Sequence, residues 1–256
     1  IILFSRTRNK MNKNNDQLVL NLNRRAQVGL ENFYISKANE LAVNSLKNWE
    51  EWPTRKLILK GPSGSGKSHL ADFWVKQSGA KIVSITDICE ADAIGLSENK
   101  ALLIENIDIL VTYATGDQIQ IEEKLFHLFN SVSGALCYLM MTTSSELGSW
   151  GLKLPDLISR LKAVAVVELL PPDDELITAI LLKQLDDKQL KVSPEFILFV
   201  IKRINRSFKS IREFVDLIDQ LTLKRKRDVT IPMASEILNF QNNDIAMGGK
   251  GNDYNF

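Results

Sequence analysis

The octapeptide GPSGSGKS at positions 61–68 constrains the fold of this chain more than any other feature. It fits the pattern G-x-x-x-x-G-K-[ST], follows the apolar run KLILK and precedes a helical pattern. Glycines at these positions let the backbone curl until successive N–H groups point at one anion, and the helix amino terminus adds a positive end. The sequence therefore predicts a strand–loop–helix unit that binds a nucleotide by its phosphates, rather than a plain Gly/Ser-rich loop.

The loop supplies the predicted ligands of the phosphates and of a Mg²⁺ ion. The nucleotide is expected to contact Gly61, Pro62, Ser63, Gly64, Ser65, Gly66, Lys67 and Ser68. Lys67 is expected to reach the outer phosphates, and the Ser68 hydroxyl is expected to bind Mg²⁺. Glu105, at the end of the buried strand in ALLIENID, is expected to accept hydrogen bonds from water bound to that ion. The alternative for Glu105 is an ordinary surface acid at a strand end.

The residue after Glu105 is Asn106, at a position that matters for hydrolysis. A hydrolytic ATPase of this kind normally has an acid there, which activates the attacking water. An amide cannot accept that proton. We therefore expect the chain to bind nucleotide but to hydrolyse it poorly on its own.

Five apolar runs predict strands, and helical patterns separate them. The runs are KLILKG (56–61), KIVSI (81–85), ALLIEN (101–106), LCYLMMTT (136–143) and VAVVEL (164–169). Near-continuous apolar strands alternating with helices are typical of a parallel sheet covered on both faces, so the predicted fold class is α/β. After PPDD at 171–174 three helical patterns follow: ELITAILLKQLDDKQ, PEFILFVIKRIN and SIREFVDLIDQLTLK. The predicted organisation is a flexible leader at 1–25, a core at 26–171, a helical domain at 172–240 and a disordered tail at 241–256.

The composition excludes several classes of protein. The net charge of +1, from 32 basic and 31 acidic side chains, gives no general electrostatic drive toward nucleic acid. No apolar run reaches the roughly 18–20 residues needed to span a bilayer. Cys89 and Cys137 lack CxxC spacing and are interpreted as reduced thiols in or near the core of a cytosolic protein. The ten residues before Met11 are interpreted as upstream translated sequence or an added remnant.

Seven short stretches are informative as an ordered series. They are FYIS (33–36), GKSHL (66–70), LLIENID (102–108), EEKLFHLFN (122–130), LPDLISRL (154–161), IREF (211–214) and TIPMASEIL (230–238). Together they resemble the AAA+ module of the DnaA family of bacterial replication proteins, and its Hda members most closely. The resemblance implies an AAA+ α/β core with a C-terminal helical lid.

The resemblance also implies additional residues around the nucleotide. Ile35 belongs to the segment that packs near the adenine in this family, and His69 belongs to the end of the phosphate loop. Thr142 or Thr143 is implied as sensor 1, which reads the γ-phosphate or its attacking water. A threonine at the end of a strand can equally have a purely structural role.

Two arginines match positions that contact phosphates in the family. Arg160 is implied as an arginine finger, which acts on the nucleotide of a neighbouring molecule. The resemblance implies Arg212 as sensor 2, which closes on the chain's own nucleotide. It lies off the packed stripe of its helix, where a cation could reach that nucleotide. An ordinary solvated arginine is the alternative for each.

The leader contains QLVLNL at 17–22, which resembles the sliding-clamp-binding motif of the Hda members. Its expected clamp contacts are Gln17, Leu18, Leu20 and Leu22. An extended peptide can place alternate leucines in an apolar groove while a glutamine supplies a directional hydrogen bond. An edge strand or a sticky tail is the alternative.

The resemblance implies a regulator of chromosome replication initiation. No recognition-helix pattern follows the lid, so direct sequence-specific DNA binding is not expected. The expected partners are DnaA and the sliding clamp, with ADP or ATP and Mg²⁺ as cofactors and a homodimer as a further assembly. On the clamp, Arg160 would stimulate ATP hydrolysis by DnaA and prevent re-initiation. The alternatives are an autonomous AAA+ ATPase of helicase-loader or initiator type, an interaction module with an unused loop, and a truncated DnaA that binds single-stranded DNA.

Overall fold

The computed structural model of the protein describes residues 34–90, 92–108, 118–225 and 227–246. The described part forms an α/β core followed by a helical domain, which confirms the predicted fold class. The predicted clamp-binding residues, Gln17, Leu18, Leu20 and Leu22, lie outside the described residues, so that interpretation stays a prediction.

The core is built on a five-stranded parallel sheet with the strand order β2-β3-β4-β1-β5. The strands are β1 Lys56–Lys60, β2 Lys81–Ile82, β3 Ala101–Ile104, β4 Tyr138–Thr143 and β5 Ala165–Glu168. Because all paired strands are parallel, their carboxyl ends lie at one edge of the sheet. Since β1 lies between β4 and β5, the phosphate loop after β1 is flanked by both neighbouring strand ends.

The prediction of a strand over KIVSI (81–85) is wrong beyond its second residue. The strand ends at Ile82, and a helix begins at Ile85. The cause is local. Asp87 Oδ2 accepts a hydrogen bond from the Ser84 N–H at 2.8 Å, and Ser84 Oγ accepts one from the Asp87 N–H at 3.2 Å. This reciprocal capping box starts a helix where the apolar pattern alone favoured a strand.

Helices cover the sheet and form the C-terminal domain. The core helices are α1 Glu40–Lys47, α2 Lys67–Ser78, α3 Ile85–Glu90, α4 Ala93–Ser97, α5 Gln118–Gly134 and α6 Pro155–Lys162. The C-terminal helices, called the lid below, are α7 Asp174–Asp187, α8 Pro194–Ile201, α9 Phe208–Arg225 and α10 Ile231–Ala246. The three predicted helical patterns correspond to α7, α8 and α9. The tail was predicted to begin at residue 241, but helix α10 continues through the polar segment QNNDIA to Ala246.

Alternate residues of the central strands pack on opposite faces of the sheet. Leu57 and Leu59 belong to a buried cluster with α1 and α2, which includes Trp74. Ile58 belongs to a second cluster, built from α5 and α6. Burial of both faces explains why the strands read as near-continuous apolar runs. The lid has its own apolar cluster, so the fold has two packed bodies that can form a cleft.

The cysteines are free thiols in different surroundings. Cys137 is buried, and burial raises the pKa of its thiol to about 11. Cys89 is exposed, so its predicted place in or near the core is wrong. None of the helices in the described part combines the length and the apolar character that a bilayer span requires.

Candidate functional site

The phosphate loop joins β1 to α2 with the backbone shape that its glycines permit. The Gly61 N–H donates to Thr143 O at 3.1 Å, which ties the start of the loop to the end of β4. Gly64 and Gly66 have φ values of +75° and +97°. These angles are in the left-handed region that disfavours residues with a Cβ. Since α2 begins at Lys67, the loop ends at a helix amino terminus, as the motif predicts.

Lys67 is 7% exposed and is held at the mouth of this loop. Its Nζ donates to Gly61 O at 2.6 Å, to Pro62 O at 3.0 Å and to Ser144 Oγ at 3.0 Å. Burial lowers the pKa of Lys67, and the carboxylate of Asp108 opposes that shift. A desolvated ammonium therefore lies between the loop and the end of β4, where an outer phosphate can take the place of its present acceptors.

A cleft of about 750 Å³ separates the loop from the lid. This volume is in the range of small-molecule sites. The core wall includes Ser63, Lys67, Ser68, His69 and Asn106, and the lid wall includes Leu176, Ile180, Phe208 and Arg212. One wall is thus polar and rich in N–H donors, whereas the other combines these three apolar side chains with polar and charged ones, namely Lys183, Gln184, Asp187 and Arg212. Such a cleft suits a ligand with a phosphate end and a flat apolar end.

The lid contacts the phosphate loop directly, a feature that the sequence did not reveal. The Phe208 N–H donates to Gly64 O at 2.8 Å. A Cβ built on Gly66 would lie 2.9 Å from the Phe208 ring, and one on Gly64 would lie 2.8 Å from Ser207 Cβ. The two glycines are therefore required by this close approach as well as by their φ angles.

The two threonines predicted as sensor 1 do not line the cleft. Thr142 and Thr143 are each 1% exposed. Thr142 Oγ1 accepts a hydrogen bond from the Asn106 N–H at 2.9 Å, and Thr143 Oγ1 donates to Ser145 O at 3.0 Å. Ser144, the next residue after β4, lines the cleft and contacts Lys67 instead. The hydroxyls of Thr142 and Thr143 thus form hydrogen bonds with backbone groups, and the side chain of Ser144 faces the cleft.

The end of β3 brings acidic groups next to this region. Oε1 of Glu105 is buried and has no hydrogen-bond partner among the described residues, which suits an acceptor for metal-bound water. Asp108 Oδ2 accepts hydrogen bonds from Ser144 N at 3.0 Å and Ser145 Oγ at 2.9 Å, a role that the sequence analysis missed. The described residues contain no group of three or more His, Cys, Asp or Glu side chains that could hold a metal. A magnesium ion here would therefore share its ligands between the Ser68 hydroxyl, water and phosphate oxygens.

The remaining predicted nucleotide contacts divide into two groups. Arg212 and His69 line the cleft, and burial lowers the pKa of His69. Asp72 opposes that shift, whereas Lys183 and Arg212 reinforce it. Ile35 does not line the cleft, because it packs against the apolar cluster of α1 and α2.

Tyr34, the neighbour of Ile35, lines the cleft instead. Its hydroxyl is buried and finds no hydrogen-bond partner in the part of the chain that the structure describes, and burial raises the pKa of Tyr34. Side chains alternate along an extended segment, so a shift of one residue exchanges the side chain that faces the ligand for the one that faces the core. The structure therefore places Tyr34, and not the predicted Ile35, on the wall of the cleft.

Arg160 lies at the opposite edge of the sheet from the phosphate loop. It is exposed in the last turn of α6 and lines a second cavity with Lys56, the first residue of β1. Within the described ranges its guanidinium forms no hydrogen bond and no ion pair. It therefore cannot act on a nucleotide in its own cleft, but it is accessible to another molecule.

Glu122 attaches the helix of Arg160 to the core. Its side chain is fully buried, and its Oε2 accepts hydrogen bonds from the Lys153 and Leu154 N–H groups at 2.9 and 2.7 Å. Helix α6 has no side-chain cap of its own at Leu154. The Glu122 carboxylate of α5 thus caps the amino terminus of α6, and its negative charge interacts favourably with the positive end of the helix dipole.

Replacing Glu122 by alanine is expected to destabilise the core by about 2–4 kcal/mol, because two part-buried N–H groups lose their acceptor and a cavity remains where the buried side chain was. The measurement is the free energy of unfolding in urea. Glu123→Ala is the matched control, since Glu123 is the exposed neighbour on the same helix. Equal stability of the two variants would contradict the capping role.

Comparison with known proteins gives similarity to replication proteins. A family model described as the lid domain of Hda matches residues 173–238. An uncharacterized protein of Haemophilus influenzae is 28% identical over 232 residues, which is 88% of this chain and 99% of that protein. The chromosomal replication initiator protein DnaA of Cutibacterium acnes is 24% identical over 230 residues, which is 81% of this chain. The chain spans only 45% of that initiator.

Solved structures show the same fold. Domain III of the Thermotoga maritima replication initiation protein DnaA has a TM-score of 0.66 at 20% identity, over 82% of this chain and 95% of that domain. The AMPPCP-bound DnaA of Aquifex aeolicus has a TM-score of 0.61 at 18% identity, over 77% of this chain and 67% of that one. At these identities the structural likeness establishes the architecture of core and lid.

Proposed function

We propose that this chain regulates the initiation of chromosome replication by acting on DnaA. The premise is that the chain is a DnaA-like AAA+ protein of the Hda type. The observation that carries the proposal is the position of Arg160. Its guanidinium is exposed at the edge of the sheet away from the chain's own cleft, and within the described residues it has no acceptor. An arginine in this position can bind a phosphate group that belongs to another molecule.

The cleft is proposed to bind an adenine nucleotide. Two similar structures are DnaA proteins bound to AMPPCP, and in this chain the loop, Lys67 and the lid line a cleft with the volume of a small-molecule site. Lys67 would bind the outer phosphates and Tyr34 would lie beside the base or the ribose. Magnesium, held by Ser68 with Glu105 accepting from its water, would neutralise phosphate charge. ADP is the preferred ligand in this proposal, and the intact loop also permits ATP.

Stimulation of DnaA is proposed to use Arg160 in trans. A guanidinium there neutralises charge that develops on the γ-phosphate during hydrolysis. The chain's own turnover would be slow, because Asn106 lines the cleft and an amide cannot serve as the base for water. Stimulated hydrolysis would convert DnaA to its ADP form and limit re-initiation.

The sliding clamp is the proposed platform for this reaction, through Gln17, Leu18, Leu20 and Leu22. A cytoplasmic complex of clamp, DnaA and this chain follows, without sequence-specific DNA binding by the chain itself. Self-association as a homodimer is part of the same proposal.

The test of the clamp function uses DnaA-bound ATP turnover on DNA that carries a loaded clamp. Leu20→Ala with Leu22→Ala is expected to weaken clamp binding about 100-fold or more, because each leucine loses an apolar contact of ~1.5–3 kcal/mol. Stimulation of turnover should fall in parallel. Val19→Ala with Asn21→Ala is the matched control, since those side chains alternate to the other side of an extended peptide. Full stimulation by the first double variant would disprove a clamp-dependent function.

An autonomous AAA+ ATPase of helicase-loader or initiator type is the second candidate. The observation that favours it is the complete phosphate loop with Lys67 held at its mouth. It predicts steady-state ATP hydrolysis by the chain without DnaA, which the regulatory proposal does not.

A further inference from the structure

The cavity that contains Arg160 has an unusual charge balance. Its volume is about 400 Å³, and it lies at the edge of the sheet opposite the nucleotide cleft. Three basic side chains line it, from Arg55, Lys56 and Arg160, among mostly apolar neighbours such as Phe129 and Val164. Among the described residues, no aspartate or glutamate lines it. The cavity therefore concentrates positive charge without a compensating acid.

Lys56 is the deepest of these cations and has unused capacity to bind. It is 6% exposed. Its Nζ donates to Ser133 Oγ at 2.8 Å and to Thr54 O at 3.3 Å. An ammonium has three N–H groups, so one is left for a further acceptor. The ring of Phe129 lies with its centroid 5.3 Å from Nζ and covers one side of the group.

The arrangement is electrostatically unfavourable without an anion. Burial lowers the pKa of Lys56, and the nearby charge of Arg160 lowers it further, while Cys137 opposes these two effects. Arg55 adds a third charge, with one of its N–H groups already donated to Leu136 O at 2.9 Å. Like charges in a half-enclosed space repel each other strongly, and a bound anion would reverse that penalty.

We propose that this cavity is a phosphate-binding site in which Lys56 and Arg160 contact the same phosphate group. A phosphate dianion fits three cations better than a single carboxylate does, and a guanidinium next to an ammonium offers both forked and point-charge donors. The phosphate is either a free ion or the terminal phosphate of a nucleotide held by a partner. The second source rests on the function proposed above, whereas the first does not.

The test for the site uses the chain saturated with ADP, so that the phosphate loop is occupied. The dissociation constant of inorganic phosphate is measured from the rise of the unfolding temperature with phosphate concentration. Lys56→Met and Arg160→Ala are each expected to weaken binding roughly 10–100-fold, because each removes a charge-assisted hydrogen bond. Lys162→Met, on the same helix as Arg160 but outside the cavity, is expected to leave binding unchanged.

Misfolding is not expected to imitate this result. Lys56→Met removes a buried, repelled charge and keeps the side-chain length, so the unfolding temperature without phosphate should stay level or rise. Phosphate binding that is absent from the wild type, or equal in the wild type and the Lys56→Met variant, would overturn the proposal.

The source of the phosphate is decided by a second measurement on the same variants. If it comes from a partner's nucleotide, Lys56→Met also lowers stimulated DnaA turnover roughly 10–100-fold. If turnover is unchanged while phosphate binding is lost, the site takes the free ion. A wild type that binds phosphate but does not stimulate DnaA at all would refute the proposed function and leave the site intact.

Discussion

Arg160→Ala is expected to lower the DnaA-bound ATP turnover stimulated by this chain by about 10³-fold or more, the usual contribution of an arginine supplied in trans. The physical reason is that no other described side chain on α6 combines exposure with a place in the cationic cavity. The measurement is the rate of phosphate release from DnaA in a single turnover with clamp and DNA present. Binding of ADP by the variant itself should be unchanged, because Arg160 lies at the opposite edge of the sheet from the cleft.

The matched control for this prediction is Lys162→Ala. Lys162 is a second exposed cation in the last turn of α6, but it does not line the cavity. A general loss of positive charge would affect both variants equally, whereas a finger affects only Arg160. Arg160→Lys should recover only part of the rate, since an ammonium lacks the planar fork of a guanidinium. If Arg160→Ala stimulates DnaA as well as the wild type does, the proposed mechanism is wrong.

The parts of the fold that could be predicted from the sequence depend on short-range patterns. The phosphate loop has its signature within eight consecutive positions, and the apolar runs show the buried strands because both sheet faces are covered. The same reasoning failed at Ser84, where two side chains close a capping box and override the apolar pattern. Local hydrogen bonds of this kind change the element type without changing the hydrophobicity.

The parts of the site that could not be predicted depend on long-range contacts. Phe208 lies far along the chain from Gly66, and no local pattern indicates that its ring covers that glycine. Thr142 and Ser144 are both polar residues at a strand end, and only the packing decides which of them faces the cleft. Glu122 belongs to a stretch that the resemblance identified, yet its capping of α6 became visible only in the structure.

The charge environment of Arg160 has the same origin. Lys56 reads in the sequence as a polar residue at the start of a strand, which normally faces solvent. Parallel pairing places the start of β1 beside the end of α6, and the two cations become neighbours. The family resemblance singled out Arg160 as a candidate, whereas the position of Lys56 next to it follows only from the topology of the sheet.

Lys67→Met is expected to weaken the binding of ADP and ATP by about 100-fold or more, because two charge-assisted contacts to phosphate are lost at ~1.5–3 kcal/mol each. The ammonium is already desolvated in the free protein, so it exchanges carbonyl acceptors for phosphate oxygens at little further cost. Calorimetric titration measures the affinity. Burial lowers the pKa of Lys67, and only its protonated form contacts phosphate. The affinity of the wild type should therefore fall toward that of the variant as the pH rises through this lowered pKa.

Lys76→Met is the matched control, since Lys76 is an exposed cation in the last turn of the same helix. Comparable losses in both variants would indicate a nonspecific effect of charge. The same pair separates the two candidate functions. Steady-state ATP hydrolysis without DnaA that disappears in Lys67→Met but persists in Lys76→Met would favour an autonomous ATPase. Tight nucleotide binding without such hydrolysis is the result expected from Asn106, because an amide at this position of the cleft cannot accept a proton from the attacking water.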